Sequence, residues 1–83
     1  MSDRQLRRPG RHLLALLAAN VRGLRKSRGF SQEKLGEVCG LHRTYVGSVE
    51  RGERNITLSS LEVLAQALGV TVPDLLAPRH KAK

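Results

Sequence analysis

The side chains best equipped to recognise another molecule lie in one run, HRTYVGSVERGERN, from His42 to Asn55. Arg43, Arg51 and Arg54 supply cationic donor forks, Thr44 and Ser48 short hydroxyls, and Tyr45 a ring with a polar tip. Such a set donates and accepts hydrogen bonds; nothing in it is arranged to break a covalent bond. Bond-making residues are sparse elsewhere as well. Cys39 is the only cysteine, which excludes an internal disulfide and suits a reducing compartment, and it reads as a small buried side chain. His12, His42 and His80 are scattered without metal-ligand spacing. Glu33 and Glu37 are explained by the start of a helix, where acidic residues are favoured. The chain is therefore expected to be no enzyme and to need no metal or cofactor.

The run 42–51 has helical periodicity. With Val46 as origin, Val49 and His42 fall within about 60° on one side and Glu50 about 40° on the other, an arc expected to face a core. Thr44, Gly47, Ser48 and Arg51 fall on the far side, with Arg43 and Tyr45 on its shoulders. By itself that outer face reads equally well as solvated surface or as a contact surface. The glycine in it costs about 1 kcal/mol relative to alanine, and proteins sometimes tolerate such a cost.

The elements that must position this run are helices. Leu13, Leu14, Leu17, Val21 and Leu24 recur at three- and four-residue steps and predict a first helix over residues 11–28, ended by Gly29. Ser31 is a candidate N-cap, flanked by Phe30 and Leu35 as a hydrophobic staple. The second helix then covers Gln32 to about Cys39, burying Leu35, Val38 and Cys39, and Gly40 stops it. The third begins near His42 and runs to about Arg51, before Gly52. Residues 53–57 form a loop. A fourth helix, roughly 58–68, buries Leu58, Leu61, Leu64, Ala65 and Leu68. Its N-cap is either Thr57 or Ser59, the latter with Glu62 as a capping box. Gly69 follows, and Val70, Thr71, Pro73 and Leu75 open a short fifth helix with Asp74 in its first turn. No segment alternates over strand length, so the expected fold is all-α, a five-helix bundle spanning residues 11–77. Residues 1–10 read as a flexible basic arm and 78–83 as a basic tail.

The second and third helices are joined by a turn too tight for antiparallel stacking. Gly36 permits a close crossing, Gly40 takes a positive φ in the turn, and Leu41, Val46 and Val49 lock the pair. Those are the steric demands of a helix-turn-helix over about 32–51.

At this point the residues amount to a resemblance. The block from about Val21 to Leu76 resembles the helix-turn-helix family of phage repressors and Xre-type regulators. HRTYVGSVERGERN followed by ITLSSLEVL is similar to the controller proteins of restriction–modification systems. The resemblance implies a phage repressor-like DNA-binding domain and a role for each matching residue. Gln32 and the amides of its helix N-terminus would bond a phosphate. Arg43 and Thr44 would reach base edges, Arg43 in the forked manner that suits guanine. Tyr45, Ser48 and Arg51 would add base or backbone contacts, and Arg54 would approach the backbone or a groove edge. Arg25 and Glu50 would form an interhelix ion pair serving as scaffold. Two positions depart from the pattern: Gly47-Ser48 reverses the common Ser-Gly order, and His42 replaces the usual Asp, Ser or Thr, predicting a weak cap.

Composition agrees with such a partner. The net charge of +8 and a pI near 11.1 favour a polyanion. The charge is uneven: residues 1–28 carry eight basic residues and one acidic, whereas residues 29–56 carry four of each. Sequence reading by the central block must therefore come from geometry rather than bulk charge. One domain of this size reads half a site, so a homodimer on a near-palindromic operator is expected, acting in the cytoplasm on the nucleoid. RNA polymerase would be blocked or contacted, depending on where the operator lies. Two other classes compete. An antitoxin-like protein-interaction module could use the Leu-rich first helix, and residues 4–28 could lie on an anionic membrane surface. LLALLAAN (13–20) has the look of a targeting segment, but basic residues follow at once and no cleavage pattern is evident. No run reaches the length of a membrane span, so no membrane partner is expected.

Overall fold

Helix boundaries in the computed structural model, which describes residues 9–78, are set by local caps. The arm and tail expected at the two ends lie outside the described residues except for Pro9, Gly10 and Pro78, as does His80. The described chain forms α1 (Arg11–Ser27), α2 (Gln32–Cys39), α3 (Arg43–Glu50), α4 (Leu58–Leu68) and α5 (Val72–Leu76), with no strand among these residues. Ser31 Oγ accepts from the Lys34 amide at 2.9 Å and starts α2. Thr57, not Ser59, starts α4, accepting from the Ser60 amide at 3.1 Å. Thr71 and Asp74 close a reciprocal box at α5, with bonds of 3.2 and 3.0 Å. The backbone and side-chain bonds from Thr71 hold the Asp74 carboxyl below the usual carboxylate range.

The turn between α2 and α3 depends on Gly40, whose φ of 74° is left-handed. There the Leu41 amide bonds the Gly36 carbonyl at 2.8 Å and the Gly40 amide bonds that of Glu37 at 3.4 Å. This is the Schellman arrangement, which satisfies the last carbonyls of α2 while redirecting the chain. The same device closes α1, α3 and α4 at Gly29, Gly52 and Gly69.

The core takes one stripe from each helix: Leu17, Val21 and Leu24 of α1, Leu35 of α2, Val46 and Val49 of α3, Leu61, Leu64, Ala65 and Leu68 of α4, and Leu75 of α5. α2 packs on α3 and α4, while α1 crosses behind α3 and against α5. Three expected core residues are exposed instead, and Cys39, also expected to be buried, is only half-buried at the edge of the core. Leu13, Val38 and Leu58 are 40, 49 and 77% exposed. Leu13 and Leu58 occupy the first turns of α1 and α4, at the rim of the packed layer. Val38 is displaced because the close crossing at Gly36 swings the buried arc of α2 toward Gly36 and Cys39. Val38 then lies about 60° outside Leu35 on the other side.

The core also holds an amide that hydrophobic periodicity does not flag. Asn20, on α1 and 2% exposed, donates from Nδ2 to the carbonyls of Leu75 (2.8 Å) and Ala77 (2.9 Å). A five-residue helix cannot satisfy its own last carbonyls, so this one side chain ties the end of α5 to α1. Asn20→Ala leaves the buried Leu75 carbonyl and the partly buried Ala77 carbonyl without their donor and is expected to cost about 2 kcal/mol. Chemical denaturation reads the cost, and amide exchange in α5 should accelerate most. Unchanged α5 protection would show that solvent replaces the amide without penalty.

Candidate nucleic-acid interface

The C-terminal half of α3 is held by a network centred on Glu50, which is 3% exposed. Arg25 grips its carboxylate with both arms, Nε to Oε2 at 2.6 Å and Nη2 to Oε1 at 3.0 Å. Hydrogen bonding to Glu50 is the main reason the Arg25 guanidinium titrates above its ordinary value, so it stays charged. Arg25 Nη1 reaches the Phe30 carbonyl at 2.8 Å, and Arg22 Nη2 donates to the Glu50 carbonyl at 3.3 Å. Gln32 Nε2 completes the set by donating to Glu50 Oε1 at 3.0 Å. One carboxylate thus fixes α1, the start of α2 and the end of α3 relative to one another. Arg22 was not singled out by sequence, although it stands three residues before Arg25 and so on the same face.

At the other end of α3 the surface is open. Arg43 and Thr44 are exposed at its first turn. His42 corrects two expectations: it is exposed instead of core-facing, and it caps the helix, its Nδ1 accepting from the Thr44 amide at 3.0 Å. A ring nitrogen at that distance does what a Ser or Asp oxygen does in other caps.

The outer face of α3 is narrower than periodicity predicts, because Gly47 and Ser48 are buried. A β-carbon on Gly47 would lie 3.2 Å from Arg51 Nη1 and 3.4 Å from Gln32 Oε1. The glycine makes room for these two side chains to cross the helix. Ser48 is 7% exposed and its hydroxyl is already engaged, donating to the Tyr45 carbonyl at 2.7 Å and accepting from Arg54 Nε at 3.1 Å. The Arg54 guanidinium also lies over the half-buried Tyr45 ring, 4.7 Å from its centroid, within cation–π range. The cause is tertiary: after Gly52 the chain turns back, and residues 52–54 cover a side of α3 that an isolated helix would leave bare. Arg51 remains exposed and pairs with Glu53 at 3.1 Å. Both side chains are more than half exposed, so that pair is worth little and yields readily.

The arrangement therefore brings Arg43, Thr44, Tyr45, Arg51 and Arg54 to one surface around α3. Gln32 lies at the edge of α2 with one donor committed to Glu50, and its helix N-terminus adds first-turn amides without intrahelical acceptors. Among the described residues no three His, Cys, Asp or Glu side chains could hold a metal ion. Burial pushes the Cys39 thiol pKa up, and its Sγ lies 3.6 Å from the Val63 carbonyl, an acceptor for the thiol proton. No helix among the described residues is long and apolar enough to cross a membrane.

Residues 21–75 match the helix-turn-helix family HTH_3, a span that begins in α1 and ends in α5. Control protein C.SmaI of Serratia marcescens is 61% identical over 61 residues, covering 74% of this chain and 73% of its own. A crystal structure of the hypothetical transcription factor NHTF from Neisseria superposes with a TM-score of 0.78 at 51% identity, covering 84% of this chain and 82% of that one. The restriction-modification controller protein C.AhdI from Aeromonas hydrophila gives a TM-score of 0.72 at 44% identity, covering 75% and 94%. With its turn, its buried scaffold and its exposed α3 tip in that company, the chain belongs to the HTH_3 helix-turn-helix family and is a DNA-binding transcriptional regulator similar to restriction–modification controller proteins.

Proposed function

We propose that the protein binds a near-palindromic operator as a homodimer, with one α3 in the major groove of each half-site about 34 Å apart. Arg43 and Thr44 read base edges, Arg43 through the paired acceptors of guanine, and Tyr45 supports them. Gln32 and the first-turn amides of α2 hold a phosphate, while Arg51 and Arg54 flank the groove. The reading rests on one observation above the others: α3 is locked at its buried end through Glu50, yet its first turn leaves Arg43 and Thr44 free in solvent. The protein would act on the nucleoid in the cytoplasm as an autoregulator, blocking or contacting RNA polymerase according to where the operator lies. The likeness to controller proteins supports self-control.

A footprint on the DNA just upstream of the protein's own gene tests this. Two protected half-sites one helical turn apart, occupied by two copies, are expected; a single unsymmetric patch, or none, would sink the proposal. The roles separate by mutation at fixed salt. Arg43→Ala should cost about 1–3 kcal/mol on the operator and relax one base position, with little change on scrambled DNA. Gln32→Ala should weaken both duplexes alike. Equal losses from both variants on both duplexes would mean that the two roles are wrongly divided.

A further inference from the structure

Arg54 follows α3 in a loop, where a long flexible side chain should sample many rotamers and lose much of that freedom on binding. Here it is fixed before any ligand arrives. Its Nε donates to Ser48 Oγ at 3.1 Å, and its guanidinium carbon sits over the Tyr45 ring, 4.7 Å from the centroid. Ser48 is itself immobilised, because its hydroxyl proton goes to the Tyr45 carbonyl one turn back at 2.7 Å. With the proton committed there, the oxygen can only accept, and Arg54 Nε is the donor it meets. One anchor is a hydrogen bond from Nε and the other the attraction of the cation to the ring; neither is a hydrogen bond from the Nη donors at the tip.

We propose that Ser48 is a positioning residue for Arg54: with Tyr45 it holds the guanidinium preorganised, its Nη fork presented to DNA phosphate beside α3. Ser48 then makes no contact with DNA of its own. This inference rests on the DNA-binding reading above and adds to it a function for the Gly47-Ser48 order. Glycine at 47 leaves room for Gln32 and Arg51 to cross the helix, and serine at 48 supplies the acceptor for Arg54. In the opposite order, the acceptor would face Gln32 and Arg51 and Arg54 would lack one.

The test begins on the free protein. In nitrogen-detected or proton-detected NMR, the Arg54 Nε–H should exchange slowly with water in the wild type and rapidly in Ser48→Ala. Ser48→Ala removes a hydroxyl from a helix interior and favours helix, so folding is retained, and a thermal melt verifies this. Binding is then measured on the duplex upstream of the gene and on a mixed-sequence duplex at low salt. Ser48→Ala should lower affinity about 3- to 10-fold, the range one net hydrogen bond spans. Arg54→Ala should lower it at least as far and reduce the salt slope by about one ion. In the Arg54→Ala background, Ser48→Ala should have no further effect. A loss of equal size with and without Arg54 would overturn the positioning role in favour of a purely structural one, as would unchanged affinity or unchanged exchange in Ser48→Ala. Failure of the wild type to prefer the upstream duplex would count against the operator reading alone, because the coupling is still measured on mixed-sequence DNA.

Discussion

Arg25→Ala is expected to lower the free energy of unfolding by about 3 kcal/mol, the lower end of the range for stripping one partner from a buried ion pair. The two side chains are unequally buried, Arg25 at 11% and Glu50 at 2% relative exposure. Removing the arginine therefore strands the deeper charge. Gln32 still donates to one carboxylate oxygen, which keeps the loss from reaching the upper end. The Phe30 carbonyl loses its donor in the same step. For a domain of this length total stability is about 4–12 kcal/mol, so the variant gives up a large share of it. The midpoint of thermal unfolding should fall by about 12–24 °C. Glu50→Ala is expected to cost less, since the exposed edge of Arg25 can turn to water. That order is the informative result. If Glu50→Ala proves the more damaging of the two, burial of the carboxylate does not dominate the pair, and the network is held chiefly by the arginine's other contacts. In the double variant the losses should be far from additive, because the stranded charge is gone.

The second large effect is expected at Gly36, where two principles oppose each other. Helix propensity alone says that Gly36→Ala stabilises α2 by about 1 kcal/mol. Packing says the reverse. A β-carbon there would overlap the Leu41 carbonyl oxygen and lie 3.4 Å from the Arg43 amide. Those are backbone atoms of the turn, so no rotamer change relieves the overlap; α2 and α3 must move apart. Overpacking of this kind costs about 3 kcal/mol at the top of its usual range, which outweighs the propensity gain. The variant should therefore be destabilised by about 2 kcal/mol net. Its DNA affinity should drop beyond what partial unfolding explains, because the shift propagates directly into the first turn of α3. Equilibrium denaturation combined with binding at saturating folded fraction separates the two losses. A stabilised Gly36→Ala would mean that the crossing is looser than the structure has it. Gly23, where an added β-carbon meets nothing within 4 Å, is the matched control and should gain stability on substitution by alanine.

Much of this protein is legible in its residues because the deciding interactions are local. Four Schellman glycines and the Ser31, Thr57 and Thr71 caps act over three to six residues, so helix ends can be read along the chain. The placement of Val46, Val49 and Glu50 inward follows from one helix's periodicity, and Gly36 with Gly40 announces the tight turn. The family likeness followed from those same short-range features. What one helix cannot know is which part of its outer face a neighbour will cover. Tertiary structure alone covered Ser48, by folding the chain after Gly52 back across α3, and Gly47, with the side chains of Gln32 and Arg51, and it left Val38 outside by centring the α2 contact on Gly36. It also sent Asn20, a polar residue on an apolar stripe, to carbonyls 55 and 57 residues away. Capping and periodicity are properties of adjacent residues, whereas burial of a given azimuth is set by the crossing of elements distant in the chain.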